Sequence, residues 1–101
     1  MVKSRGYRIE LGEVEAALYA IDEVAEAVVV PVPDATIGNR LVAFVALEVA
    51  VENPQKLLST GMGKKAPTYM IPGDIEVLEE IPKTSNGKLD RQKLLKTLEQ
   101  H

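Results

Sequence analysis

Two apolar runs constrain the fold of this 101-residue chain more than any other feature. Ala27–Val30 is apolar at every position, and so is most of the segment 41–49. A strand with one face in water alternates apolar and polar residues, so continuous runs predict strands that are covered on both faces. We predict antiparallel strands at 25–32 and 41–49, the first ended by Pro31 and Pro33.

Two further segments have the pattern of helices that cover such a sheet. The segment 13–21 places its apolar residues at i, i+3, i+4 and i+7, on one helical face: Val14, Ala17, Leu18 and Ile21. Asn53 and Pro54 have the residue types of an N-cap and a first helical position. Because glycine disfavours a helix interior, we expect the helix that starts there to fray or stop at Gly61 and Gly63.

The last quarter of the chain predicts one more strand and one more helix. Glutamates in 75–81 indicate a strand with an exposed face or edge. Asp90 is the predicted N-cap of a final helix, with Leu89 and Leu94 spaced as a hydrophobic staple. Its buried face is expected to be Leu94, Leu95 and Leu98, whereas Arg91, Lys93 and Lys96 are expected to be solvated.

The order of elements predicts an α+β fold for residues 1–101, as one domain. A small N-terminal β-hairpin bends at Gly6, where a positive φ is easily adopted. A sheet of about three strands, packed with about three helices, follows it.

Composition excludes several classes of function. The net charge of −3 and pI of about 5.2 argue against a nucleic-acid partner, which would require a basic face. The chain has no cysteine, and its one histidine is the last residue, His101, so we expect no disulfide and no metal site. No apolar run reaches the roughly 18 residues of a membrane span, so no membrane association is expected and a cytoplasmic location fits.

One segment could carry chemistry, Lys83–Lys88. Its polar centre cannot add to a core, and Asn86–Gly87 permits left-handed backbone angles that direct Lys88 outward, two residues before a helix N-cap. An exposed ammonium there suits a phosphate or a carboxylate that must be met and released. On turn chemistry alone, an ordinary exposed turn before a helix is the favoured interpretation, and a plain hairpin is less favoured.

Two other segments are unremarkable when taken alone. Lys3–Glu15 has the pattern of a hairpin that leads into an amphipathic helix. Ala66–Pro72 has the pattern of a rigid loop that packs Tyr69, Met70 and Ile71 onto the core.

Together, however, these segments resemble the C-terminal subdomain of the AMP-forming adenylating enzymes. Lys3–Glu15, Pro67–Pro72 and Pro82–Arg91 are similar, in this order and at plausible spacing, to three signatures of that family. The family includes the acyl-CoA synthetases, firefly luciferase and the adenylation domains of nonribosomal peptide synthetases. The match covers essentially the whole chain. Glu10–Glu13 and Tyr69–Pro72 look most like the amino-acid-activating branch.

The resemblance implies specific roles for two loops. Lys88, on a loop with Asn86 and Gly87, would enter the active site while a carboxylate attacks the α-phosphate of ATP. The subdomain would then rotate, and the Lys3–Ile9 hairpin would replace the lysine. Arg5, Gly6 and Tyr7 of that hairpin would face a phosphopantetheine arm, and Arg5 or Arg8 would be candidates for a phosphate contact.

The resemblance also implies the cofactors and partners of the complete enzyme. ATP and Mg would be bound mainly by a large N-terminal domain that this sequence lacks, together with the hinge residue that normally precedes the pattern. The chain alone is therefore expected to be inactive and without a cofactor, with Lys88 exposed, mobile and without a ligand. The expected partners are that N-terminal domain and a phosphopantetheine-bearing carrier protein, or coenzyme A instead.

Two alternatives stay open from the sequence. The chain could be a non-catalytic module that kept this fold and docks a carrier or another partner. It could also be an unrelated small α+β domain with accidental matches, which three ordered signatures disfavour.

Overall fold

The computed structural model describes residues 2–99, without the side chains of residues 65 and 99. In chain order, these residues form β1 (Val2–Ser4), β2 (Tyr7–Ile9), α1 (Leu11–Tyr19), β3 (Val24–Asp34), β4 (Gly38–Leu47), α2 (Pro54–Lys65), a 3-10 turn (Thr68–Met70), β5 (Asp74–Leu78) and α3 (Arg91–Glu99). Strands β1 and β2 form the N-terminal hairpin, and the other sheet has the order β3-β4-β5. The predicted α+β fold class is therefore confirmed. His101, the basis of one expectation above, lies outside the described residues.

Both faces of the β3-β4-β5 sheet are buried, as the apolar runs predicted. Alternate residues of β3 divide between two clusters: Val29 packs with side chains of α1 and α2, and Val28 packs with Leu94 of α3. Strands β3 and β4 are antiparallel, with Val29 opposite Ala43, whereas β5 runs parallel to β4. The sheet is thus a layer between α1 and α2 on one face and α3 on the other.

The prediction that Pro31 and Pro33 end the first strand is wrong, since β3 runs on to Asp34. The backbone N–H and C=O of Val29 bond to side chains of Glu15 and Arg91, so they point away from β4. Backbone groups of alternate residues point to the same side of a strand, and residues 31 and 33 therefore also face the open edge. The ladder to β4 needs no N–H there, so proline is tolerated.

The expectation that the second helix frays at its glycines is also wrong, because α2 continues through Gly61 and Gly63 to residue 65. Its start is as predicted: the side chain of Asn53 accepts from the Lys56 N–H at 3.2 Å. A Cβ at Gly61 would lie 2.7 Å from Cδ1 of Ile21. Gly61 thus lets α2 approach the buried Ile21, and that packing offsets the poor helix propensity of glycine.

Other boundaries shift without changing the architecture. Helix α1 begins two residues earlier than predicted, at Leu11, because the N–H groups of Glu13 and Val14 bond to the carbonyl of Glu10. Strand β5 is shorter than predicted and lies at the sheet edge, as its glutamates indicated. The Lys93 N–H donates to Oδ1 of Asp90 at 3.1 Å, which confirms the predicted N-cap of α3. Across residues 2–99, none of the helices has the length and apolar character needed to cross a membrane.

Asp34 holds the tight turn between β3 and β4. Its Oδ1 accepts from the backbone N–H groups of Thr36 at 2.8 Å and Ile37 at 3.1 Å. These two bonds favour the ionised carboxylate and lower the pKa of Asp34 below its ordinary value.

The two glycines of α2 should respond in opposite directions to alanine. At Gly63 no atom of the described residues lies within 4 Å of an added Cβ, so Gly63→Ala should raise the free energy of unfolding by about 0.5–1 kcal/mol through helix propensity. Gly61→Ala gains the same propensity but must displace Ile21, and overpacking of this kind costs about 1–3 kcal/mol. We expect Gly61→Ala to lower the free energy of unfolding in urea denaturation. Equal stabilisation by both variants would show that Ile21 moves freely.

The Asp34 turn predicts part of the acid sensitivity of the fold. Because the pKa of Asp34 is lower in the folded state, its stabilising contribution is present above the unfolded pKa and is lost as the pH falls through the folded pKa. An asparagine at this position can still accept the two bonds but does not titrate. Asp34→Asn should therefore flatten the fall in unfolding free energy below about pH 4. Asp22→Asn, at an exposed aspartate, is the control, and an identical acid profile for both variants would contradict the prediction.

Candidate functional site

Residues 82–90, here called the lysine loop, form a short closed turn. The Thr84 N–H donates to the Lys88 carbonyl at 2.7 Å, and the Gly87 N–H donates to the Thr84 carbonyl at 2.9 Å. The Asp90 N–H closes the base with a 2.8 Å bond to the Pro82 carbonyl. The loop is therefore braced by its own backbone.

The tip of the lysine loop has the backbone that the sequence predicted. Gly87 has a φ of +83°, and Lys88 beyond it is exposed, as is Asn86. Lys83 and Leu89 pair as an isolated antiparallel bridge, so the loop is a small hairpin whose second arm leads directly into α3. The sequence disfavoured a plain hairpin because a helix starts at this point. In the structure, the hairpin and the start of the helix occur together. The predicted mobility of Lys88 stays a prediction.

Side chains tie both ends of the lysine loop to the rest of the fold. At the first end, Nζ of Lys83 lies 3.1 Å from a carboxylate oxygen of Glu26 on β3. Just beyond the other end, the guanidinium of Arg91 donates to both carboxylate oxygens of Glu15, at 2.5 and 2.9 Å. The loop is thus anchored to β3 on one side and to α1 on the other.

Arg91 is exposed, as expected, but its guanidinium is also bound within the fold. Besides its two bonds to Glu15, Arg91 donates to the Val29 carbonyl at 3.2 Å, and Glu15 accepts from the Val29 N–H at 2.8 Å. The hydrogen bond to Glu15 raises the pKa of Arg91, so the cation is retained at any ordinary pH. Nothing in the sequence pairs two residues that stand 76 positions apart, and the charge of each is ordinary for a helix surface.

The N-terminal hairpin is anchored at a different place, the turn between β3 and β4. Ser4 Oγ donates to the Asn39 carbonyl at 2.6 Å, and the Asn39 side-chain amide donates to the Lys3 carbonyl at 2.9 Å. The Arg5 N–H adds a 2.7 Å bond to the Ile37 carbonyl. A Cβ at Gly38 would lie 2.9 Å from the Lys3 carbonyl oxygen, so this close approach needs glycine.

The tip of the hairpin is open to solvent. Arg5 and Gly6 both have positive φ, of 54° and 82°, and an added Cβ at Gly6 would have no atom within 4 Å in the part of the chain that the structure describes. An open depression of about 390 Å³ is lined by Val2, Lys3, Gly6 and Arg8.

An aromatic pair joins the hairpin to the 3-10 turn. The rings of Tyr7 and Tyr69 stack with centroids 4.0 Å apart and planes 4° from parallel, and Tyr7 is 50% exposed. Met70, next to Tyr69, is buried in the apolar cluster on the α1 and α2 face, and Ile71 is partly buried against that cluster. The predicted packing of this segment is confirmed, and the stack on Tyr7 is an addition that the sequence did not indicate.

The structure does not bring the lysine loop and the hairpin tip together. Ile9 of the hairpin packs in the cluster on the α1 and α2 face, whereas Leu89 packs in the cluster on the α3 face. Along the sheet, the hairpin is bonded to Asn39, which pairs with Pro33, and the lysine loop is bonded to Glu26. These anchor points are seven positions apart along β3, or about 24 Å at the usual rise per residue.

In residues 2–99, no group of three or more histidine, cysteine, aspartate or glutamate side chains could hold a metal ion. The exposed cation of Lys88 is suited to anionic oxygens. The candidate site is thus an exposed positive group on a braced loop.

Several known proteins contain a segment that is similar to nearly the whole of this chain. Gramicidin S synthase 2 of Brevibacillus brevis is 46% identical over 93 residues, which are 92% of this chain and 2% of that protein. The acyl-CoA synthetase of Brucella canis has the same fold over 100% of this chain and 20% of its own, with 34% identity and a TM-score of 0.84. The o-succinylbenzoate CoA synthetase of Bacillus subtilis, solved with its acyl-adenylate intermediate, matches 91% of this chain and 19% of its own, at 30% identity and a TM-score of 0.77.

This chain corresponds to a small part of each of these proteins, about 2% of the synthase and about a fifth of each synthetase. The family described as the AMP-binding enzyme C-terminal domain matches residues 13–88, which include α1, the sheet and the lysine loop as far as Lys88. The chain belongs to this family of AMP-binding enzyme C-terminal domains.

Proposed function

We propose that this chain is the mobile C-terminal subdomain of an ATP-dependent, AMP-forming ligase that activates an amino acid. The observation that carries the proposal is the exposed Lys88 on a braced turn, far from the hairpin that would serve the second half-reaction. The 46% identity to a gramicidin synthase, against 34% to an acyl-CoA synthetase, favours an amino acid over other acids.

In the first half-reaction, a carboxylate oxygen attacks the α-phosphorus of ATP, and the bond to pyrophosphate breaks. ATP and Mg would be bound mainly by a large N-terminal domain, and Lys88 would reach the substrate carboxylate and the phosphate oxygens from this chain. Charge develops on those oxygens in the transition state, and a positioned ammonium stabilises it. Asn86 and Gly87 shape the turn that presents the lysine.

In the second half-reaction, a thiol sulfur attacks the acyl carbon of the adenylate, and AMP leaves. The hairpin tip would then face the active site, with Gly6 allowing a phosphopantetheine arm to approach closely because it has no side chain. Arg5 and the exposed ring of Tyr7 flank this path. The thiol belongs, in this proposal, to a carrier protein, with coenzyme A as the other acceptor.

The separation of the two loops supports a rotation between the half-reactions. The lysine loop and the hairpin lie on opposite faces of the sheet, and their anchor points on it are about 24 Å apart. A rigid subdomain can then present either loop to one active site. It cannot present both at once, because the distance between them exceeds the size of a nucleotide. Rotation about a hinge would exchange them. The cytoplasm, where ATP is available, is the compartment that fits this reaction.

A second candidate function is a docking module without a catalytic lysine. The stacked pair of Tyr7 and Tyr69 favours it, because a half-exposed aromatic surface is typical of binding sites. The two candidate functions differ in their need for Lys88: the ligase subdomain requires it for catalysis, and the docking module does not.

Lys88→Ala, made in the complete ligase, should reduce ATP–pyrophosphate exchange about 100–1,000-fold, the usual effect of losing one transition-state donor. Formation of thioester from supplied adenylate should be nearly unchanged, because the lysine has left the site by then. Lys96→Ala removes an exposed cation from α3 and serves as the control. Wild-type exchange in Lys88→Ala would refute the catalytic role and favour the docking module.

Two glycines offer a matched test of the exchange between loops. Gly6 and Gly87 have nearly the same φ, +82° and +83°, and both have open space around an added Cβ. Alanine therefore imposes the same backbone strain at each, about 1–2 kcal/mol. Gly87→Ala should slow adenylate formation, whereas Gly6→Ala should slow thioester formation from supplied adenylate. Each half-reaction is measured in both variants, and an equal effect of both on one half-reaction would contradict the assignment.

A further inference from the structure

Glu15 and Arg91 meet across the open edge of β3, and each holds one backbone group of the same strand residue. Glu15 comes from α1 on one face of the sheet, and Arg91 comes from α3 on the other. The Val29 N–H donates to Glu15, and the Val29 carbonyl accepts from Arg91. Four hydrogen bonds therefore join three elements at one point, here called the edge clamp.

The edge clamp lies just beyond the lysine loop. Arg91 is the first residue of α3 and follows Asp90, whose N–H closes the base of the loop at Pro82. The Lys88 carbonyl, held by Thr84, is also part of this hydrogen-bonded base. A shift of the start of α3 relative to β3 would therefore move the backbone that carries the Lys88 side chain.

Near the start of α3, Leu89 packs with the apolar cluster on the α3 face, and Lys83 on the other arm of the lysine loop pairs with Glu26 of β3. Leu94 packs on the α3 face one turn further along, and it fixes how closely the helix lies on the sheet. The first turn itself is exposed, at Arg91 and Gln92. A bidentate guanidinium–carboxylate pair has a defined geometry, so the edge clamp sets the position of the helix start along β3.

We propose that Arg91 and Glu15 are positioning residues for Lys88 in adenylate formation. This inference rests on the proposed function, because it acts through the catalytic role of Lys88. Arg91 makes three bonds within the subdomain, so its role is to hold the lysine loop in register with the sheet. The edge clamp lies next to the lysine loop, whereas the hairpin is anchored elsewhere, at Asn39.

The pair joins the two faces at one point, and the apolar core of the fold lies elsewhere. The side chain of Arg91 is 49% exposed, so water screens its charge, whereas the carboxylate of Glu15 is only 13% exposed. The two apolar clusters on the faces of the sheet do not depend on it. Loss of the clamp should thus leave a folded subdomain with a displaced lysine, and small displacements of a reacting group are costly to rate.

The test uses Arg91→Gln, Glu15→Gln and the double variant in the complete ligase, with Lys88→Ala as the reference. Glutamine at position 15 keeps an oxygen that can accept from Val29, so the fold is preserved. Lys93→Gln removes a charge from the same helix without breaking an ion pair in residues 2–99, and it is the matched control. Each variant is assayed for kcat and KM of ATP–pyrophosphate exchange and for thioester formation from supplied adenylate.

We expect each single variant to lower kcat of exchange roughly 10- to 100-fold, with little change in the KM for ATP. The double variant should be no slower than the more impaired single variant, because the two residues act as one unit. Thioester formation should stay near wild type, a result that general unfolding would not give. Arg91→Lys keeps the positive charge but loses the two parallel donors of the guanidinium, so it should recover part of the rate. It is the second variant to use if Arg91→Gln does not fold.

The outcomes separate this inference from the proposed function. If Lys88→Ala exchanges at the wild-type rate, the proposed function fails, and the inference fails with it. If Lys88→Ala is impaired while Arg91→Gln and Glu15→Gln exchange normally, the inference alone is overturned. It is also overturned if the clamp variants impair both half-reactions equally, or if Lys93→Gln has the same effect as Arg91→Gln.

Discussion

Burial of the β3-β4-β5 sheet on both faces is the constraint on which the rest of this structure depends. Val28 and Val29 are adjacent in β3, yet each is fully buried in a different cluster, so helices must cover both sides. The chain places α1 and α2 on one face and α3 on the other. Consequently, the hairpin before α1 and the lysine loop before α3 are delivered to opposite faces. A core requirement thus separates the two candidate functional segments.

The open edge of β3 shows how the two faces are held together. Within residues 2–99, the backbone groups on this side of β3 do not pair with another strand, and proline occupies positions 31 and 33, where an N–H is not needed. At Val29, side chains from α1 and α3 form hydrogen bonds with the backbone N–H and carbonyl of this edge and with each other. One ion pair therefore protects an edge, joins two faces and sets the start of the helix that follows Lys88. The same contact serves structure and, in our proposal, catalysis.

Much of this could be predicted from local patterns. The Asn53 and Asp90 caps, the glycine turn before Lys88 and the two-sided burial of β3 depend on residues near in sequence, so the sequence alone indicates them. The full length of helix α2 could not be predicted, because the approach of Ile21 to Gly61 reverses the local preference of glycine. The stack of Tyr7 on Tyr69 could not be predicted either, since its partners lie far apart in the chain.

The sequence by itself determined the fold class and the order of elements, because periodicity, capping and turn chemistry act over a few residues. Lys88 was singled out by the resemblance of three segments to a known family, since turn chemistry alone favoured an ordinary exposed turn. The tertiary structure decided which contacts anchor the loop that carries Lys88. It paired Arg91 with Glu15 over 76 positions, continued β3 through its prolines and placed the hairpin and the lysine loop on opposite faces. Those features depend on which backbone groups face an open edge and which helices meet across it, and such contacts arise only when the sheet has formed.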